Sequence, residues 1–187
     1  MIWLIVLLAI VLAVVLLLVA LYNRLVRLRN RAENAWAQVE VQLKRRWDLI
    51  PNLVETVKGY AAHERETFQA VTEARTRAQQ AQTPAETAQA EGILGAALGR
   101  LLAVAEAYPE LQADENFRQL QTELAETENR VAVSRQVYND AVLTFNNAIQ
   151  TFPGLVFAGP FGFTAREFFE VDEEAQREVP RVDFAPS

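Results

Sequence analysis

"KRRWDLIPNLVETVKGYAAHE", residues 44–64, decides the fold, because a proline stands inside what otherwise reads as one long helix. Before it, apolar residues recur at Leu25, Leu28, Ala32, Ala35, Val39, Leu43, Trp47 and Ile50, the spacing of three and four that keeps one helical face. After it, Val54, Val57, Ala61, Phe68, Val71, Ala74 and Ala78 continue in the same phase. The unbroken phase supports a single helix kinked at Pro51. Three features support a hairpin instead. Charge reverses from Lys44, Arg45 and Arg46 to Asp48, which suits a helix end followed by a helix start. Asp48 is a capping residue type, and a proline three positions on still lies in the first turn. A single helix over residues 24–81 would also be ~87 Å long, with later segments of ~36 and ~56 Å to cover it. These features favour a tight hairpin at Trp47, Asp48 and Pro51. Ile50 weighs against it, since a residue before proline avoids the α conformation.

Working outward toward the N-terminus, residues 2–21, "IWLIVLLAIVLAVVLLLVAL", are an unbroken apolar run. Twenty helical residues rise ~30 Å, the thickness of a bilayer core. Trp3 and Tyr22 bracket the run, where interfacial aromatics are expected. The run lacks a basic leader and a small-residue cleavage site, so it reads as a retained transmembrane helix rather than a signal peptide. No lysine or arginine precedes it, whereas Arg24, Arg27, Arg29 and Arg31 follow. Basic flanks stay cytoplasmic, which predicts the N-terminus outside and the remaining chain in the cytoplasm at the inner membrane.

Toward the C-terminus, Thr83, Pro84 and Glu86 spell a capping box that opens a third segment over residues 84–107. Asp114 is placed to cap a fourth. That segment repeats Phe117, Leu120, Leu124, Thr127, Val131, Ser134, Tyr138, Ala141, Phe145, Ala148 and Phe152 over coiled-coil-like heptads, ending at Pro153 and Gly154. Strand signals are nearly absent. The expectation is an all-α chain: an anchor at 1–22, an antiparallel up-and-down four-helix bundle at 23–152 and a C-terminal segment at 153–187. Within that last segment, "TFPGLVFAGPFGF" is apolar and nonhelical, Thr164 and Glu167 form a second capping box for a short helix near 165–171, and an acidic extended tail begins at Asp172.

The strings "YNRLVRLRNRAENAW", "VQLKRRWDLIPNLVETVKGYAAHE", "YPELQADENFRQLQTELAETENRVAVSRQVYNDAV" and "FNNAIQTFPG", with "GFTAREFFE" and "PRVDF", resemble the LemA family over about Tyr22 to Phe184. The resemblance implies a single-pass anchor, a four-helix up-and-down bundle and the same out-to-in orientation. Some members of the family belong to magnetosome membranes of magnetic bacteria. The resemblance supplies no catalytic residues.

The chemistry of the chain is sparse. A net charge of −6 argues against a nucleic-acid partner. The absence of cysteine removes disulfides, thiolate catalysis and Cys-ligated zinc. His63 is the only histidine, so neither an H-E-x-x-H zinc site nor a paired E-x-x-H di-iron site is possible, and its plain role is surface solvation. No G-x-S-x-G elbow or phosphate-binding loop occurs. No cofactor or metal is therefore expected, and no enzyme activity. Glu123, Glu126, Glu128 and Asp140 read as a solvated face with Arg130 and Arg135 as partners. Asn34, Asn129, Asn139 and Asn146 read as residues that fix helix register.

Two stretches are candidate interfaces. Gly92, Gly95 and Gly99 form a small-residue face on the third segment, each costing up to ~1 kcal/mol in a helix relative to alanine. Phe157, Phe161 and Phe163 lie in the apolar stretch, which either covers the bundle base, dips into lipid headgroups or seats a neighbouring subunit. The expected partners are the lipid bilayer and either a second copy or other membrane proteins. The expected role is a noncatalytic membrane-anchored assembly or scaffold protein. The alternative is a membrane-bound sensor that binds a small ligand or signalling protein between helices, near Thr127, Ser134 and Asn139.

Overall fold

The structure, a computed structural model, describes residues 1–170, and no strand occurs among them. The helices are α1 (Ile2–Tyr60), α2 (Arg65–Gln80), α3 (Pro84–Glu106), α4 (Pro109–Ala113), α5 (Glu115–Gln150) and α6 (Gly154–Ala158). The acidic tail expected from Asp172 lies outside the described residues.

The hairpin at Trp47, Asp48 and Pro51 does not form. α1 is helical throughout, with Pro51 in its interior. Pro51 cannot donate to the Trp47 carbonyl, a loss of about 3 kcal/mol in a helix interior. Against that stand Leu43, Ile50, Leu53 and Val57, each no more than 1% exposed. Burial of one such side chain is worth about 1.5–3 kcal/mol, so keeping four in phase outweighs one proline. Pro51 itself is exposed, where its ring meets no packed neighbour layer, and Asp48 is exposed on the helix surface rather than capping. The charge reversal also misled: Lys44 and Arg45 are exposed, but Arg46 is buried and pairs with Glu128 at 2.9 Å. The chain turns instead at residues 61–64, where the Glu64 N–H donates to the Ala61 carbonyl at 3.0 Å. His63 lies exposed in that turn.

Residues 2–17 of α1 are all exposed, and α1 is long and apolar enough there to cross a membrane. An all-apolar helix surface with no protein around it is the pattern of a membrane span. α3 passes the same length and composition test, but it buries Leu94, Ala97, Leu98 and Leu101 within the fold and is a core helix.

The chain forms two compact units. One comprises residues 1–50 and 119–168. In it, Leu25 clusters with Phe145 and Ile149, the Trp36 and Tyr138 rings lie 5.0 Å apart, and Arg46 meets Glu128. The α5 partner's number falls as the α1 number rises. The other unit comprises, among the described residues, 51–118 and 169–170. Here α2 packs on α3; α2 buries Phe68, Val71, Ala74 and Ala78, and α3 buries Ala88, Leu94, Leu98 and Leu101 among others. The expected capping box is present: the Glu86 N–H donates to Thr83 Oγ1 at 3.2 Å, and the Thr83 N–H donates back to Glu86 at 3.3 Å. Asp114 caps α5 as expected, accepting from the Phe117 N–H at 2.9 Å.

Candidate membrane-proximal site

The apolar stretch 151–163 folds back onto the end of the anchor run. α5 ends at Gln150 because Pro153 cannot continue it, and α6 starts at Gly154. A Cβ on Gly154 would stand 1.9 Å from the Ala148 carbonyl oxygen, so only glycine permits this tight re-entry. A second turn follows at Gly162, whose φ of +71° is the left-handed conformation glycine favours. Together they deliver Phe163 into a buried cluster with Leu25, Phe145, Ile149 and Ala158. Tyr22, one residue past the apolar run, contacts this segment directly. Its ring lies 5.2 Å from Phe161 and 5.8 Å from Phe163, and Phe163 meets Phe145 edge-on at 6.3 Å. The Arg29 guanidinium sits 5.7 Å over the Phe163 ring, a cation–π contact.

Residues 163–170 are not helical, so the short helix expected near 165–171 does not form in its described part. Thr164 and Glu167 have the right spacing for a capping box, but the backbone between them is already committed. Asn146 accepts from the Arg166 N–H and donates its amide to the Arg166 carbonyl, both at 2.9 Å. The Tyr138 hydroxyl donates to the Glu167 carbonyl at 2.7 Å. The Arg166 side chain pairs with Glu33, which also lies 3.9 Å from Arg29. A helix here would forfeit these bonds. Burial, in part against the Trp36 ring, raises the Tyr138 hydroxyl to about 12, the Arg166 charge opposing this and the Glu167 charge adding to it. Tyr138 is therefore a neutral donor at physiological pH.

Of the residues singled out from sequence, Phe161 and Phe163 come together on Tyr22, and Phe157 is half-buried beside them in the chain. Phe152, counted in the α5 stripe, lies past the helix end and is exposed. The Gly92, Gly95 and Gly99 face lies on α3 in the other unit. A Cβ at Gly95 or Gly99 would meet nothing within 4 Å, so close packing inside this chain does not require either glycine. Thr127 is buried with its hydroxyl donated to the Leu124 carbonyl of its own helix, 2.8 Å away. Asn146 does not tie one helix to another but holds the Arg166 backbone. Its signal in the sequence was an asparagine beside Phe145 inside the most regular apolar stripe. Nothing in the sequence pointed to Arg166 as its partner, because the two lie 20 positions apart.

In the other unit, the Tyr60 hydroxyl donates to Asp114 at 3.1 Å. That bond and the negative charge of Asp114 raise the Tyr60 hydroxyl above its ordinary range. The Phe117 amide holds the Asp114 carboxyl below its usual one. An open groove of about 290 Å³ between α2 and α3 is lined by Ala70, Ala74, Ile93 and Ala97 and edged by Glu73, Arg77 and Arg100. Among the described residues, no three His, Asp or Glu side chains converge as metal ligands would.

Magnetosome protein MamQ 2 of Paramagnetospirillum magneticum is 29% identical over 175 residues, covering 80% of this chain and 64% of that protein. Magnetosome protein MamQ of Magnetospirillum gryphiswaldense is 28% identical over 174 residues, 79% of this chain and 64% of that protein. Protein LemA of Metamycoplasma hominis is 29% identical over 135 residues, 70% of this chain and 60% of that protein. The chain therefore spans under two-thirds of the length of each of these relatives. The sequence pattern of the LemA family matches residues 35–184, most of the chain, and the protein belongs to that family.

Proposed function

We propose that this protein is a noncatalytic, membrane-anchored helical scaffold that assembles with itself or with other membrane proteins. The observation that carries the reading is the continuity of α1 from Ile2 to Tyr60. A helix that runs without a break from the apolar run past Pro51 suits a part that positions others. Arg24, Arg27, Arg29 and Arg31 after the apolar run support a domain on the cytoplasmic side of the inner membrane with the N-terminus outside. The helical region is read as an antiparallel up-and-down bundle of α1 beyond the anchor, α2, α3 and α5. Support comes from the opposite numerical order of α1 and α5 partners and from the short connections at 61–64 and 81–83. Relatives named as magnetosome proteins favour a role at a membrane.

Open space over Gly95 and Gly99 supports the α3 face as the assembly surface. Mass measurement of the full chain in lipid nanodiscs tests this. An oligomer that Gly99→Leu dissociates is the expected result; a monodisperse monomer at cellular concentration contradicts self-assembly. A cytoplasm-only reporter fused after Ser187 tests the orientation, and a silent but well-expressed fusion overturns it. The α2–α3 groove supports a second reading, a sensor for a small ligand. A saturable thermal shift lost in Ala97→Leu would replace the scaffold reading with that one.

A further inference from the structure

The scaffold reading leaves unexplained why the chain, after building a long soluble helix, displays bare apolar side chains where α5 ends. Phe152 is 83% exposed, Leu155 62%, Val156 55% and Phe161 50%. Between Thr151 and Thr164 there is no charged residue. Four bulky apolar groups on one short turn are an unusual outlay on a surface that faces water.

Their position identifies what covers them. Phe161 stacks edge-on with Tyr22, and Tyr22 directly follows the apolar run of α1. Ala158 and Phe163, on either side of the second turn, pack on Leu25. The exposed groups are therefore held at the level where α1 leaves the bilayer. The polar groups around them match a headgroup layer. Arg24, Arg27 and Arg31 are exposed on the first turns of α1 past the run, and the nearby carboxylate of Glu33 is already engaged by Arg166 and Arg29. The glycines at 154 and 162 fix the turn's shape, so the apolar groups are presented by a preformed element rather than by a loose loop.

The geometry points to a second membrane contact: the turn of residues 152–161 inserts Phe152, Leu155, Val156 and Phe161 at the headgroup–acyl boundary beside the anchor, with Arg24, Arg27 and Arg31 facing anionic headgroups. Aromatic and aliphatic groups rimmed by arginine are the pattern of an interfacial insertion, which gains from apolar burial and from attraction to anionic lipid. A single helix leaves a domain free to swivel about the span; a second point of insertion fixes its rotation and tilt. The inference rests on Ile2–Leu21 crossing the bilayer.

The absence of cysteine permits clean spin labelling of the full-length chain. Single cysteines are placed at Leu12 in the anchor, at Leu155 and Phe161 in the turn and at Gln136 on the exposed face of α5. Each labelled protein is put into nanodiscs containing anionic lipid, and label collisions with oxygen are compared with those of a water-soluble nickel complex. All four positions are exposed in the structure, so the labels leave the core intact. The expected result is an oxygen-to-nickel ratio several-fold higher at Leu155 and Phe161 than at Gln136, with Leu12 higher still. Leu155 and Phe161 matching Gln136 while Leu12 stays immersed overturns the insertion and leaves the anchor standing. Leu12 matching Gln136 overturns the anchor as well. Labels shielded from both reagents, with spin–spin broadening that vanishes on dilution by unlabelled protein, would show a second copy covering the turn and overturn lipid as its occupant.

Discussion

The two compact units of this chain are held by different means. The unit of residues 1–50 and 119–168 relies on large rings and on polar side chains with assigned partners: Phe145 and Phe163, Trp36 on Tyr138, Arg46 with Glu128, Asn146 on the Arg166 backbone. The unit of residues 51–118 buries Phe68, Leu94, Leu98, Leu101, Leu111 and Phe117 beside Ala74, Ala78, Ala88, Ala97 and Ala105, and its Tyr60–Asp114 bond and Thr83–Glu86 capping box are exposed. Apolar burial of this kind is non-directional. The polar pins specify a single arrangement because each loses its bond if shifted. The first unit is thus the specified one, and it carries the turn proposed to meet the membrane. The second carries the glycine face proposed for assembly.

The contrast breaks most visibly at Phe145, which is 1% exposed at the centre of the aromatic cluster. Phe145→Ala is expected to cost about 3–5 kcal/mol, seen as a large fall in the thermal midpoint of helical circular dichroism in detergent. Asn146→Ala comes next. It strips the Arg166 N–H and carbonyl of their partner at once, at about 1–3 kcal/mol, and should open residues 163–168 to protease before the helices melt. If cleavage there is unchanged, Asn146 does not hold the segment.

Tyr138→Phe removes one hydrogen bond, worth about 1 kcal/mol, and also carries a pH signature. The hydroxyl titrates near 10.0 in the unfolded chain and near 12 in the fold. Between those values the unfolded state has released a proton that the native state retains, so stability falls as pH rises. The contribution is full below pH 10.0 and lost as pH passes about 12. The phenylalanine variant should show a shallower alkaline fall. The smallest effect is expected in the other unit and has the opposite sign. Gly99→Ala adds a methyl that meets nothing within 4 Å, and should stabilise α3 by up to ~1 kcal/mol. The gain is expected of the dissociated chain; a loss of stability confined to the assembled form would agree with the α3 face proposed for assembly.

Much of this fold is legible in local patterns. The apolar run, the capping box at Thr83 and the Asp114 cap all act within a few residues, and each forms as read. The two misreadings share a cause. At Asp48–Pro51 local signals say stop, and at Thr164–Glu167 they say start. In both places longer-range terms prevail: the burial of Ile50, Leu53 and Val57 in one case, the bonds from Asn146 and Tyr138 in the other. The apolar character of residues 151–163 was readable, but not which rings are covered. Phe163 is buried and Phe161 half-exposed only because the glycine turn at 162 sends successive aromatics to different sides.

The central claim is that α1 passes through Pro51 as one unbroken helix. Spin labels at Gln38→Cys and Glu55→Cys, both exposed positions, measure it by pulsed dipolar spectroscopy on the full chain in nanodiscs. Seventeen residues of unbroken helix place the two backbone positions ~26 Å apart. A distribution centred near that value is the predicted result. A hairpin at Trp47–Pro51 would bring them to about the ~10 Å separation of packed helices, and a peak there would contradict the account.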